Sequence, residues 1–318
     1  MTAEPVLRLD GVTRRFGDVV ALDDLTLHVP AGQVVGLLGH NGAGKTTTVR
    51  LLAGLLAPDA GVVRVDTLDP VVDGAAVRQR LGVLPARPIV DDRLTGAQNL
   101  SFAAAVFGLD PEVARERAGE LLAGFGLADR ADERVGGYST GLRQRLSLAR
   151  VLLTDPQVLL LDEPTAALDP VAARQVLRTL ATLAARADRT VVVCTHDLAE
   201  AEALCDRVMV LANGRSIAEG SPAELAAAHR PGELRFDVGV DAAARAVAVL
   251  SRLLPVEPRV LAGGRVSVTG VAHEAVPDLV RHLVAADVPV HEAVRSRPSL
   301  QEVYLALHGE VPVEEERE

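Results

Sequence analysis

Residues 34–46 read VVGLLGHNGAGKT, an apolar run that stops at a glycine-rich loop closed by a lysine and a threonine. The run 34–38 has the composition of a strand buried on both faces. The loop GHNGAGKT, residues 39–46, fits G-x-x-x-x-G-K-[ST], and the following TTVRLLAGLLA (47–57) has helical periodicity that ends before Pro58. A strand before and a helix after are the context this motif needs to bind phosphate. Gly39, Gly42 and Gly44 let the backbone turn sharply, so that the N–H groups of the loop, through Asn41, Ala43 and on to Thr47, point at phosphate oxygens. The helix N-terminus adds a favourable dipole. Lys45 is placed to reach the β- and γ-phosphates of a nucleotide such as ATP, and the Thr46 hydroxyl to ligate Mg2+. Lys45 is also the single lysine of the chain, every other basic residue of the Lys+Arg set being arginine. A compact ammonium kept in one place, amid guanidinium groups everywhere else, indicates a site too tight for the arginine fork.

Two further segments supply the rest of a hydrolytic site. VLLLDEP (158–164) is an apolar strand ending in two acids, where open α/β sheets bind their ligands. Asp162 is expected to hold Mg2+, directly or through water, and Glu163 to act as the general base that polarises the attacking water. Alone, such a pair is more often a helix cap and first-turn acid; paired with the phosphate-binding loop it reads as functional. His196 follows the strand VVVCT (191–195), facing the same crevice, where a neutral imidazole either bonds the γ-phosphate or holds the water.

Outward from these segments, residues 5–33 alternate in short stretches around turn residues at Gly17–Asp18 and 30–32, the pattern of an antiparallel layer. Residues 94–133 read as an all-helical insert, with helices at 94–107 and 111–125 separated by Gly108. A helix at 141–153, strands at 158–161 and 190–194 and a helix after Pro170 imply a mostly parallel sheet. Asn213–Gly214 marks a two-residue hairpin. Beyond about residue 230 the pattern restarts: strand 234–238, helix 241–253, a strand pair across Gly263–Gly264, helix 274–286, strand 288–293 and a last helix 299–307. The expectation is α/β: a P-loop NTPase core in residues 1–230 and a small α+β, ferredoxin-like βαββαβ domain in residues 231–318, which ends in an acidic tail.

Composition narrows the function. The net charge of −10 opposes a phosphate-backbone binder, so no nucleic acid partner is expected. No apolar run is long enough to span a bilayer, and the N-terminal MTAEPVLRLD lacks the basic start of a secretory signal, so a cytoplasmic location is expected. Cys194 and Cys205 do not have metal or redox spacing and read as reduced core residues.

The order of the loop 39–46, YSTGLRQR (138–145), LLLDEPT (159–165), AALD (166–169) and THD (195–197) resembles the ATP-binding cassette family over residues 5–225. That resemblance implies an ATPase that works as a homodimer, in which Ser139 and Gly141 of one subunit close over the ATP held by the loop of the other. It implies that Asp169 sits in the loop coupling the two sites, and that Phe16 stacks on adenine rather than packing in the core. It further implies a separate transmembrane permease as partner, with the subunit peripheral on the inner face of the membrane and the insert 94–133 as the docking surface. RPSLQEVYLAL (297–307) resembles the accessory domain of two-component exporters of drugs, lipids or polysaccharides; a stabilising or dimerising appendage is the alternative. Two positions depart from the family pattern. Ala86 stands where a glutamine, or a glutamate in one exporter branch, usually reaches the metal, and Thr140 where the signature usually has glycine. Those departures keep open a weakly hydrolysing regulatory subunit; a soluble cassette ATPase acting on nucleic acid or ribosomes is the other alternative.

Overall fold

The computed structural model describes residues 5–166, 168–184, 189–229, 233–296 and 300–307. It divides the chain into two compact units, Met1–Pro222 and Ala223–Glu318.

The first unit opens with β1 (Pro5–Phe16) and β2 (Val19–Pro30), long strands paired antiparallel around the expected turn at Gly17–Asp18. β1 also pairs antiparallel with β4 (Ala60–Val65), so the layer runs β2-β1-β4. β3 (Val34–Leu38) leads through the glycine loop into α1 (Lys45–Leu52), and α2 (Gly74–Arg80) precedes β5 (Leu81–Leu84). β5, β6 (Val158–Asp162), β7 (Thr190–Thr195), β3, β8 (Arg207–Ala212) and β9 (Arg215–Gly220) form a six-stranded sheet in the order β5-β6-β7-β3-β8-β9. All its pairings are parallel except the β8–β9 hairpin. Every residue of β3, β6 and β7 is buried, which is why these strands read as apolar runs, interrupted only by Asp162 at the end of β6 and by Thr190 and Thr195 at the two ends of β7. The antiparallel layer and the parallel sheet share one core: Leu7, Leu9 and Leu27 belong to the same cluster as Val35, Leu37 and Leu51.

The helical insert comprises α3 (Gly96–Val106) and α4 (Pro111–Gly124), and α5 (Thr140–Leu152) follows it. α3 starts two residues later than the apolar pattern indicated because Thr95 is its cap. The Thr95 hydroxyl accepts from the Gln98 N–H, and the Gln98 side chain accepts from the Thr95 N–H, a reciprocal capping box. Asp110 caps α4, with Pro111 at its first position. α6 (Pro170–Ala184) and α7 (Leu198–Leu204) complete the unit, and α8 (Pro222–His229) begins at its end.

The second unit contains β10 (Glu233–Asp237), α9 (Ala243–Leu253), β11 (Arg259–Leu261), β12 (Arg265–Thr269), α10 (Val276–Ala285), β13 (Glu292–Ser296) and α11 (Leu300–Leu307). The sheet order β11-β12-β10-β13, antiparallel throughout, with helices after β10 and β12, is the split βαββαβ connectivity of the ferredoxin-like expectation. Leu234, Phe236, Val266, Ala246, Leu250 and Leu283 form its core. The last strand is displaced from the expected 288–293. Val288 is buried as a plug behind α10, its N–H donating to the Leu283 carbonyl (3.0 Å), and the ladder begins only where Glu292 meets Asp237. The expected acidic tail, and residues 297–299 of the exporter-like segment, lie outside the described residues.

Candidate functional site

β6, β7 and β3 are neighbours in register, Asp162 opposite Cys194 and Thr195 opposite Leu38, so their carboxyl ends bring three chemically active segments to one edge of the sheet. At the end of β3 the glycines are required by different constraints. A side chain at Gly39 would meet the Leu211 carbonyl at 2.6 Å, and Gly44 holds φ +112° with Leu22 only 2.6 Å from where a Cβ would be. At these two positions the loop therefore lies too close to β8 and β2 for a residue with a Cβ.

Lys45, 5% exposed, donates from Nζ to the Gly39 carbonyl at 2.5 Å and lies 3.3 Å from Glu163 Oε1. The Thr46 hydroxyl donates to Asp162 Oδ2 at 2.8 Å. His196 Nδ1 donates to Glu163 Oε2 at 2.8 Å. Thus Lys45, Thr46, Asp162, Glu163 and His196, singled out from three separate stretches of sequence, are brought side by side in two bonded sets, Lys45–Glu163–His196 and Thr46–Asp162. Asp162 is buried, and desolvation raises its pKa above the ordinary carboxylate value, while the Thr46 hydrogen bond opposes that shift. Asp162 Oδ1 is buried without a hydrogen-bond partner, an acceptor position that a cation or a water can fill, whereas Glu163 Oε1 makes no hydrogen bond but faces the Lys45 ammonium. Glu163 also has φ +54°, a left-handed conformation that costs a residue with a Cβ roughly 1–2 kcal/mol. Its N–H donates to the Cys194 carbonyl at 2.9 Å, which fixes this turn against the end of β7.

The other expected residues lie apart from this group. Ser139 caps α5, its hydroxyl accepting from the Leu142 N–H at 3.3 Å. Thr140 is the first residue of α5, exposed and helical, and Gly141 follows in the same turn. Asp169 accepts from the N–H groups of Val171 and Ala172, and these two bonds hold its carboxyl below the ordinary value. No hydrogen bond or ion pair among the described residues connects Ser139, Gly141 or Asp169 to Lys45. Phe16 is 43% exposed at the end of β1, with the Arg14 guanidinium 4.9 Å from its ring centre, so it is not a core residue.

The family model described as ABC transporter matches residues 22–166. Over 97% of its length the chain is 41% identical to the daunorubicin resistance ATP-binding protein DrrA3 of Streptomyces coeruleorubidus, covering 97% of that protein. The chain belongs to the ABC transporter family. Within the family it is an ATP-binding, ATP-hydrolysing subunit. The Nod factor export ATP-binding protein I of Paraburkholderia xenovorans is 38% identical, with 96% of this chain and 98% of that one covered. Among solved structures, the ATP binding subunit of an ABC transporter aligns with a TM-score of 0.64 at 29% identity, covering 69% of this chain and 91% of that one. A dimeric post-hydrolysis state of the ATP-binding cassette MJ0796 bound to ADP and Pi aligns at 0.62 and 27% identity, covering 68% and 98%.

Sequence reasoning missed a second layer behind the ABC site. Glu200, on the first turn of α7 and 2% exposed, accepts from the Thr195 hydroxyl at 2.6 Å and the Thr165 hydroxyl at 3.2 Å, both on Oε2. Burial pushes its pKa up to about 7, against the two hydroxyl donors. Gln144 of α5 donates to the Pro164 carbonyl at 3.2 Å. The segment containing Ala86 is likewise tied to α5: the Ile89 N–H donates to Ser147 Oγ (3.1 Å), and the Ile89 carbonyl accepts from Arg150 (2.6 Å). In the sequence, the spacing of Ser147 and Arg150, one helical turn apart, was the only signal for this clamp.

Proposed function

We propose that this chain binds ATP in a homodimer, hydrolyses it at Glu163 and so drives a separate transmembrane permease for export. The observation that carries this reading is the two bonded sets at one sheet edge, Lys45 and His196 both on Glu163, with Thr46 on Asp162 beside them. The amides of residues 39–47, including Asn41, Gly42, Ala43 and Thr47, cradle the phosphates at the N-terminus of α1, and Lys45 neutralises the β- and γ-oxygens. Phe16 offers an exposed ring for the adenine face. Thr46 and Asp162 fit Mg2+, since Asp162 keeps a buried, unpartnered oxygen. Among the described residues no cluster of three or more His, Cys, Asp or Glu side chains could hold a metal, so the ion takes its remaining ligands from phosphate and water. Bound there, Mg2+ supplies charge neutralisation on the phosphate oxygens.

In the hydrolytic step Glu163 accepts a proton from water as the water oxygen bonds the γ-phosphorus. The bond from that phosphorus to the β–γ bridging oxygen breaks, and ADP and phosphate leave. His196 orients the Glu163 carboxylate through its 2.8 Å bond. Ser139 and Gly141 complete the site from the second copy, presenting the N-terminus of α5 to the γ-phosphate, and Asp169 lies between the two sites.

The permease docks on the helical insert. An apolar cavity of about 280 Å3 is lined by Leu55, Val83, Pro85, Ile89, Phe107 and Arg150. Phe102 and Val106 of α3 are exposed beside Phe107, an apolar patch of the kind that marks a protein interface. No helix among the described residues is long and apolar enough to cross a membrane, and we place the subunit on the inner face through this contact. The names of the relatives, daunorubicin resistance and Nod factor export, support export as the direction. Residues 231–318 act as an accessory domain to the cassette in residues 1–230.

Steady-state ATPase measurement on the wild type and Glu163→Gln tests the reading. The variant is expected to retain ATP, lose turnover and accumulate as an ATP-bound dimer on size exclusion. Equal, near-background rates in both proteins would leave the weakly hydrolysing regulatory alternative in its place.

A further inference from the structure

The two active loops are joined underneath by a carboxylate that the hydrolytic step does not use. Glu163 and Thr165 lie two residues apart in the turn after β6, and Thr195 immediately precedes His196 at the end of β7. Both threonine hydroxyls donate to the same oxygen, Oε2 of Glu200. The Thr195 oxygen in turn accepts from the Asp197 N–H at 3.0 Å, so the His196 loop is braced on both sides. Above this brace stands the 2.8 Å contact between His196 and Glu163.

An acid in the first turn of a helix is ordinarily explained by the helix dipole and serves its own helix. Here that service is performed by Asp197, which accepts from the N–H groups of Ala199 and Glu200. The two bonds made by Glu200 point away from α7, into loops from two different strands. Burying a carboxyl group is costly, and a costly group is retained where it does something an apolar residue does not. The other oxygen, Oε1, is buried without a hydrogen-bond partner, so the side chain is not simply satisfied by its surroundings.

We propose that Glu200 is a positioning residue for ATP hydrolysis: by collecting the Thr165 and Thr195 hydroxyls on one carboxyl oxygen, it holds the Glu163 turn and the His196 loop in the register that lets the imidazole orient the base. The inference rests on the hydrolytic reading of Glu163 and His196. No hydrogen bond or ion pair among the described residues links the Glu200 side chain to residues 39–47, so its removal acts on the chemical step and not on nucleotide binding.

The test measures kcat, KM and thermal stability of the full chain carrying Glu200→Ala, Glu200→Gln, Thr165→Val and Thr195→Val, with Glu163→Gln as the control. A displacement of the base by about 1 Å costs on the order of 100-fold. Glu200→Ala is therefore expected to lower kcat by about 10- to 100-fold with KM nearly unchanged. Glu200→Gln, which retains an oxygen acceptor, recovers most of that loss, and each Thr→Val variant loses part of it. Should Glu200→Ala fail to fold, the two Thr→Val variants decide by the same split between kcat and KM. Wild-type kcat in these variants, a loss confined to KM, or a glutamine variant no better than alanine would overturn the inference. If Glu163→Gln is silent while the Glu200 and threonine variants turn over normally, only the brace is wrong. If Glu163→Gln itself hydrolyses at the wild-type rate, the hydrolytic reading falls first.

Discussion

The carboxyl edge of the six-stranded sheet and the ferredoxin-like unit are built from the same materials and put them to different use. Each has strands backed by helices over an aliphatic core. At the sheet edge, however, Lys45, Asp162, Thr195 and Glu200 are all buried, whereas in the second unit Ser267 is the one buried polar residue among those described. A buried polar group costs free energy unless it is partnered, so a fold that collects several of them at one edge has a reason other than stability. The contrast points to the first unit as the one built around chemistry.

Three substitutions put that contrast at risk, in descending order of effect. Phe236→Ala removes the largest fully buried side chain of the second unit's core and is expected to cost about 3–5 kcal/mol in that unit. Hydrogen exchange localised to 233–296 measures the loss, and ATP affinity should not change. If ATP affinity collapses as well, the two units do not divide labour as described. Lys45→Ala is the converse. On the proposed reading it removes the phosphate counter-charge, and it is expected to lower turnover about 100-fold or more, with little change in the exchange protection of the second unit. The smallest effect concerns Glu200, whose pKa rises from 4.5 to about 7 on folding. Below pH 4.5 the group is protonated in both states and costs nothing. Between 4.5 and about 7 only the unfolded chain ionises, so stability falls as pH rises, and above 7 the loss is constant. Glu200→Gln escapes that loss, so its melting temperature should overtake that of the wild type as pH rises through this window. The expected gain is on the order of 1–3 kcal/mol above pH 7, and a difference independent of pH would contradict it.

What the sequence disclosed follows the same division. The strand–loop–helix at 34–52 was legible because glycine placement, an apolar run and a sole lysine all agree locally. The hairpin at Asn213–Gly214 was legible too, and both residues take the positive φ that such a turn demands. The edge residues Asp162, Glu163 and His196 were legible because each stands at, or just after, the end of a largely apolar strand. β13 was misplaced because Val288 is as apolar as a strand residue but is buried by the end of α10, a tertiary fact with no local period. Glu200 escaped notice for the same reason. In LAEAEAL (198–204) it looks like one more acid on a solvated helix face, and only the approach of Thr165 from another strand reveals that it is buried. Sequence periodicity reports which face is apolar; it does not report which single polar side chain a distant loop will cover.

The central claim is that the triphosphate of ATP lies against Lys45. Because Lys45 is the single lysine, protein carrying 13C only in its lysine side chains gives one side-chain ammonium-end signal in solution. Addition of Mg-ATP to Glu163→Gln, which is expected to bind without turning over, should shift that signal in a saturable manner, and Mg-AMP, lacking the β- and γ-phosphates, should not. A lysine signal that stays in place at saturating Mg-ATP would contradict the account.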